Sequence, residues 1–275
     1  MGRLILSDLK KLMRCRTLWV CAVIGFLTGM SMTFLYDAAW NNMTDTTNYQ
    51  MVFSFLKTIG MDSDTSKQLL SQFPQEVFWQ YINTLFSDGN LIIFSAIVIS
   101  VYIGTEYNEG TFKNTLSRGF SRTSVYTSKY ISCVVSTAIT VIAYLAGGGI
   151  VAAIKFDLTT DVSDEQMILM VLAYSGLYIA LTAVFMFISV ISKKTGLAIA
   201  LNIVIPIFVS IFVRILTFGF EWVQKAVKFW IFDTITLVQT LYQNDNIYIA
   251  FTVIPIYLVL FLILGIIIFN RQDIK

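Results

Sequence analysis

The densest run of side chains able to carry charge or exchange protons lies between residues 104 and 129. It reads Gly104-Thr-Glu-Tyr-Asn-Glu-Gly-Thr-Phe-Lys-Asn-Thr-Leu-Ser-Arg-Gly-Phe-Ser-Arg-Thr-Ser-Val-Tyr-Thr-Ser-Lys129. Glu106 and Glu109 are carboxylates of the kind acid–base chemistry uses, but such chemistry needs a matched partner held at the same depth. The chain has no His, which removes His-containing Ser and Cys triads, the usual zinc sites and His proton relays. Gly104 and Gly110 do not make a phosphate-binding loop: a Gly-x-x-x-x-Gly-Lys-Ser/Thr spacing is absent and no Lys follows. Cys15, Cys21 and Cys133 all fall near one side of the topology below, so reduced thiols are expected rather than a disulfide framework. No catalytic residue, metal ligand or bound cofactor is assigned to the chain. What the stretch can do is dock. A short helix from about Thr111 to Arg118 fits, with Glu106 and Glu109 at its positive end and Gly119 as its C-cap. Ser121 then caps the next long helix. The bland alternative is a turn-helix that only joins two longer elements.

Those longer elements are membrane spans. Of 275 residues, 56% are hydrophobic and 13% charged, and the mean hydropathy is +0.73. A soluble domain carries about 25% charged residues, so there are too few charges here to cover a globule. Six apolar stretches approach the roughly 20 residues needed to cross the hydrocarbon: Leu18–Tyr36, Leu91–Gly104, Ile131–Ile154, Ile168–Ile191, Leu197–Thr217 and Ile247–Phe269. The second is short. It is expected to begin near Leu85, with Asp88 and Asn90 at the outer headgroup level. The fold class is therefore an all-α integral membrane protein, organised as one transmembrane domain.

Most of the 19 Lys and Arg fall on one side of this topology. Arg3, Lys10, Lys11, Arg14 and Arg16 precede span one, and Lys113, Arg118, Arg122 and Lys129 join spans two and three. Lys193, Lys194, Arg271 and Lys275 complete the set. The positive-inside rule places both termini in the cytoplasm and the chain in the cell membrane. Residues 1–16 read as an interfacial helix, since Ile5, Leu6, Leu9, Leu12 and Met13 share one arc and Arg3, Ser7, Lys10, Lys11 and Arg14 the other. A basic flank that merely sets orientation is the alternative. Residues 37–88 read as an external segment with helical spacing at Val52, Phe55, Leu56 and Ile59 and a helix after Pro74. Residues 105–130 form the cytoplasmic loop. Residues 218–246 are too apolar for a solvated loop and too charged for a span, so short helices dipping into the outer leaflet are expected.

Within the spans, Gly25 and Gly29 in span one and Gly147 and Gly148 in span three allow close helix approach, either inside the subunit or at a dimer seam. Pro206 and Pro255 read as hinge or cavity residues, or as tolerated curvature. Asn202 and Arg214 are the most polar intramembrane residues: Asn202 as a helix–helix bond or a pathway contact, Arg214 as a snorkelling side chain or a substrate contact.

The loop resembles the first intracellular loop of ABC-2-type permeases, the membrane subunits of bacterial ABC exporters. The matching residues are Glu106-Tyr107, Gly110-Thr111, Lys113-Asn114, Leu116-Ser117, Gly119, Ser121-Arg122 and Lys129. The order of surface helix, six spans, long first external loop and external helices between spans five and six is similar as well. The narrower likeness is to small permeases of antibiotic-peptide export and self-immunity. The resemblance implies that Glu106–Arg118 is a coupling helix seated in a groove of a separate cytoplasmic ATPase subunit, with Glu106, Tyr107, Gly110, Thr111, Lys113, Leu116 and Arg118 as its coupling residues. ATP and Mg would sit on that partner, and a second permease copy or a homologue would complete the pair. It also implies export of a hydrophobic or amphipathic substrate, antimicrobial peptides being one class. No nucleic-acid partner is expected. A membrane enzyme is disfavoured by the missing acid–base constellation. A channel or a non-transporting membrane scaffold is the alternative, although no filter loop or ring of charge is evident.

Overall fold

Apolar runs of this length satisfy their backbone groups in lipid by coiling into helices, and helices are what the computed structural model contains. It describes residues 2–44, 78–156, 163–217, 223, 226–243 and 247–272. Among these residues the elements are α1 (Gly2–Met13), α2 (Arg16–Thr44), α3 (Phe78–Phe86), α4 (Gly89–Asn108), α5 (Thr111–Ser117), α6 (Arg122–Lys155), α7 (Asp164–Ser192), α8 (Thr195–Thr217), α9 (Ile231–Gln243) and α10 (Tyr248–Arg271). Six helical stretches are long and apolar enough to cross a membrane: Arg16–Ala38, Tyr81–Asn108, Arg122–Lys155, Glu165–Ser192, Thr195–Val213 and Tyr248–Arg271. The protein is an all-α, multi-pass membrane protein. The helix expected around Val52–Ile59 lies outside the described residues, as do Pro74, Val77 and the Arg214 side chain, whereas Phe78, Tyr81 and Ile82 of the helix expected after Pro74 lie on α3.

The centre of the bundle is α4 with α7. Helix α4 touches α2, α6, α7 and α8, while α7 also meets α9 and α10 along its length. The α2–α6 pair is the closest because its glycines remove the intervening side chains. A Cβ on Gly29 would stand 2.3 Å from the Tyr144 carbonyl oxygen, and one on Gly147 2.1 Å from that of Phe26. A Cβ on Gly148 would meet Leu85 of α3 at 2.5 Å, whereas Gly25 has only Phe94 at 3.9 Å. Gly29, Gly147 and Gly148 thus serve contacts inside the chain. Thr33 donates to the Gly29 and Gly148 carbonyls and accepts from the Tyr81 hydroxyl. Lys155 and Asp37 close the far end of the pair with an ion pair at 2.9 Å.

Span two differs from expectation. The helix begins at Phe78 and is broken at Ser87–Asp88. Asp88 caps α4 through the Asn90 amide and receives the Tyr144 hydroxyl, so this half-buried carboxylate is turned into the bundle rather than towards headgroups. Helix α9 packs inward with Ile231, Phe232, Ile235 and Val238 buried.

Candidate functional site

The elements converge at the end of the bundle that carries both termini. Helix α5 forms where the sequence analysis places it, between two glycines with left-handed backbone, Gly110 at φ 64° and Gly119 at φ 85°. Those angles favour glycine, so both turns are set by residue type. Ser121 then caps α6, its side chain accepting from the Ser124 amide.

Three separate clamps hold this elbow. The first is ionic. Lys129 of α6 is buried, with its Nζ 2.7 Å from Asp8 Oδ1 of α1 and 2.9 Å from Glu106 Oε2 of α4. The other Glu106 oxygen lies 2.8 Å from Lys11 of α1, which also reaches Glu109 at 3.3 Å. Ser128 donates to the second Asp8 oxygen, and the Tyr102 ring lies under Lys129, 5.4 Å from its Nζ. Two ammonium groups thus bridge three carboxylates and bind α1, α4 and α6 into one body. Burial works against the charge on Lys11, but its bonds to Glu106 and Glu109 outweigh that and hold its pKa above the ordinary lysine value.

The second clamp is aromatic. Phe112, the buried residue of α5, lies 4.7 Å from the Tyr107 ring and 5.2 Å from Phe269 of α10, centroid to centroid. The third is a set of hydrogen bonds to the end of α10. Arg122 donates to the carbonyls of Phe269, Asn270 and Gln272 at 3.2, 2.9 and 2.7 Å, satisfying groups the helix end leaves free. Tyr107 donates to Gln272, which in turn donates to the Val190 carbonyl of α7. On the α8 side, Thr195 sits against Gly104, where a Cβ would lie 2.5 Å from its hydroxyl, and accepts from Asn108 at 3.0 Å.

The proposed docking residues separate by orientation. Lys113 and Arg118 are exposed, together with Asn114 and Ser117, and form the outward face of α5. Tyr107, Gly110, Thr111 and Leu116 are half-buried. Glu106 is 0% exposed. It faces inward because two lysines compensate its charge there, so an outward role in docking does not fit it. Helix α1 turns Leu4, Asp8 and Leu12 into the bundle, while Leu6 and Met13 of the apolar arc stay exposed on its surface. Asp8, Ser128 and Gln272 were not singled out from sequence. The available signal for Asp8 was its i, i+4 spacing between Leu4 and Leu12, a lone acid on an otherwise apolar line.

The intramembrane residues do not make one site. Asn202 donates to Ser100, Ser189 and the Phe185 carbonyl, joining α8 to α4 and α7. Asn202 and Pro206 line a cleft of about 200 Å³ with Ile92, Ile93 and Phe232. Pro255 lies apart, on an exposed face of α10. Among the described residues no cluster of His, Cys, Asp or Glu could hold a metal ion.

Residues 3–274 match the family model described as ABC-2 family transporter protein. No curated protein and no solved structure matches the chain.

Proposed function

The chain belongs to the ABC-2 family of transporter proteins, and from that premise we propose that it is the permease subunit of an ATP-driven exporter in the cell membrane, with both termini in the cytoplasm and α5 as its coupling helix. The observation that carries the reading is the Lys129 cluster. A helix that receives a push from an ATPase must pass it on rather than yield. The ionic, aromatic and helix-end clamps tie α5 to α1, α4, α6 and α10, so displacement of the elbow moves four longer helices together. Lys113 and Arg118 supply the outward, cationic contact face. Glu106 acts as a positioning residue, holding the elbow to α1 and α6 from within. Absence of a phosphate-binding loop in this sequence agrees with hydrolysis on a partner subunit. The apolar clefts on either side of the α3–α4 break favour a hydrophobic or amphipathic substrate, and a second permease copy or a homologue completes the pathway.

The test is co-expression with ABC ATPase subunits from the same genome. A stable membrane complex is expected, and its assembly should weaken when Lys113 and Arg118 are both changed to Ala. A chain that inserts normally yet captures no ATPase, with or without those changes, overturns the reading.

A further inference from the structure

Span two is interrupted at Ser87–Asp88 without a proline. In an unbroken helix the Asn90 amide would bond the Phe86 carbonyl. Here Asn90 donates to Asp88 Oδ1 at 3.0 Å, and the Phe86 carbonyl accepts from the Tyr178 hydroxyl of α7 at 2.8 Å. One turn earlier the Asn83 carbonyl keeps its helical bond from the Ser87 amide at 3.2 Å and also accepts from Tyr174 at 3.4 Å. Tyr144 of α6 donates to the second oxygen of Asp88. Backbone groups freed inside a bilayer need internal partners, and the Tyr178 hydroxyl supplies one to the Phe86 carbonyl here. That bond is local and exchangeable, unlike the ladder bond it replaces.

The surroundings leave room for movement. A cleft of about 220 Å³ lined by Phe86, Val134, Thr137 and Tyr178 flanks one side of the break. The cleft of about 200 Å³ that starts at Gly89 flanks the other. A Cβ on Gly89 would meet nothing within 4 Å. We propose that Ser87–Asp88 is a pivot at which α3 tilts relative to α4, the Tyr144 and Tyr178 hydroxyls being the bonds broken and remade as it moves. The far end of α4, about 30 Å away at 1.5 Å per residue, carries Glu106 into the Lys129 cluster. That α4 works as a rod between cluster and pivot rests on the coupling reading; the pivot itself does not.

The experiment uses the isolated chain in lipid nanodiscs, so that absence of an ATPase complex cannot affect it. Spin labels are placed at Phe78→Cys on α3 and Ile154→Cys on α6, with Cys15, Cys21 and Cys133 changed to Ala, and the distance distribution is measured by pulsed electron resonance. A broad or two-peaked distribution is expected. It should collapse to one narrow peak in the variant Ser87→Ala/Asp88→Ala/Gly89→Ala, which restores a continuous helix, and shift its populations in Tyr178→Phe. One narrow peak in the chain with Ser87, Asp88 and Gly89 intact overturns the pivot, and so does a distribution that the triple substitution leaves unchanged. Should the triple variant fail to insert, the unhealed chain decides alone.

Discussion

Lys129 meets both Asp8 and Glu106 in the bundle, at 2.7 and 2.9 Å. Removing one member of a buried ion pair leaves the other uncompensated, at a cost of about 3–5 kcal/mol. Lys129→Met should therefore lower the thermal midpoint of the detergent-solubilised chain markedly. Lys129→Met combined with Asp8→Asn should recover part of the loss, because Asp8 is the carboxylate stranded without Lys129, whereas Glu106 keeps Lys11 at 2.8 Å. Equal midpoints for the single and double variants would show that the cluster is not electrostatically coupled. Lys113→Ala and Arg118→Ala, on the exposed face, should change stability by no more than about 0.5 kcal/mol and leave the midpoint nearly where it is. Lys11 sets a pH dependence. Its pKa is raised in the folded chain, so its contribution is complete below the ordinary lysine value and fades as pH rises through the folded one. Thermal midpoints of the chain with Lys11 and of Lys11→Met should accordingly differ at neutral pH and converge in strong alkali.

Elements at this end of the bundle are joined through their termini, where free backbone groups are plentiful. Arg122 accepts that task for α10, so Arg122→Ala should release the last turn. Amide hydrogen exchange at residues 269–272 is expected to rise several-fold, with little change in the middle of α10 near Val259. Equal exchange in both would assign the order of that turn to Phe112 and Tyr107 instead. Helix α6 offers a matched pair of glycines. A Cβ on Gly147 collides with backbone at 2.1 Å, whereas one on Gly149 meets a flexible Ile82 methyl at 3.6 Å. Gly147→Ala should destabilise by about 1–3 kcal/mol or more through overpacking. Gly149→Ala should be neutral or stabilising by up to about 1 kcal/mol through helix propensity. Comparable losses at both positions would refute the assignment of Gly147 to the α2–α6 contact.

For the whole molecule the decisive quantity is orientation in the bilayer. Lys193, next to the α5 elbow, and Lys155, at the opposite end of α6, are both exposed. Cysteines placed there in a background free of Cys15, Cys21 and Cys133 should react differently with a membrane-impermeant maleimide. Labelling of intact cells at position 155 and only of opened cells at position 193 is expected; the reverse pattern would invert the topology and remove α5 from reach of a cytoplasmic ATPase. Such a result would separate the membrane fold, which stands, from the coupling role proposed for the elbow.

Much of this protein is legible in the chain alone. Span length, apolar composition and the Lys/Arg asymmetry are local quantities, and lipid permits few backbone solutions, so six helices and the α5 elbow between Gly110 and Gly119 follow from residue type and spacing. Which side chains meet across the bundle is different. Glu106 in a polar loop reads as a surface residue, and only the convergence of α1 and α6 supplies Lys11 and Lys129 to bury it. Asp88 beside an apolar run reads as a headgroup-level residue until α6 brings Tyr144 to it. The Gly29 and Gly147 positions fit either a dimer seam or an internal contact until their opposing backbones are known. Local composition determines where a helix runs, because the bilayer prices each segment by itself; the partner of a charge is decided by residues on other helices, from 23 positions away for Glu106 and Lys129 to 121 for Asp8 and Lys129, and only packing brings those together.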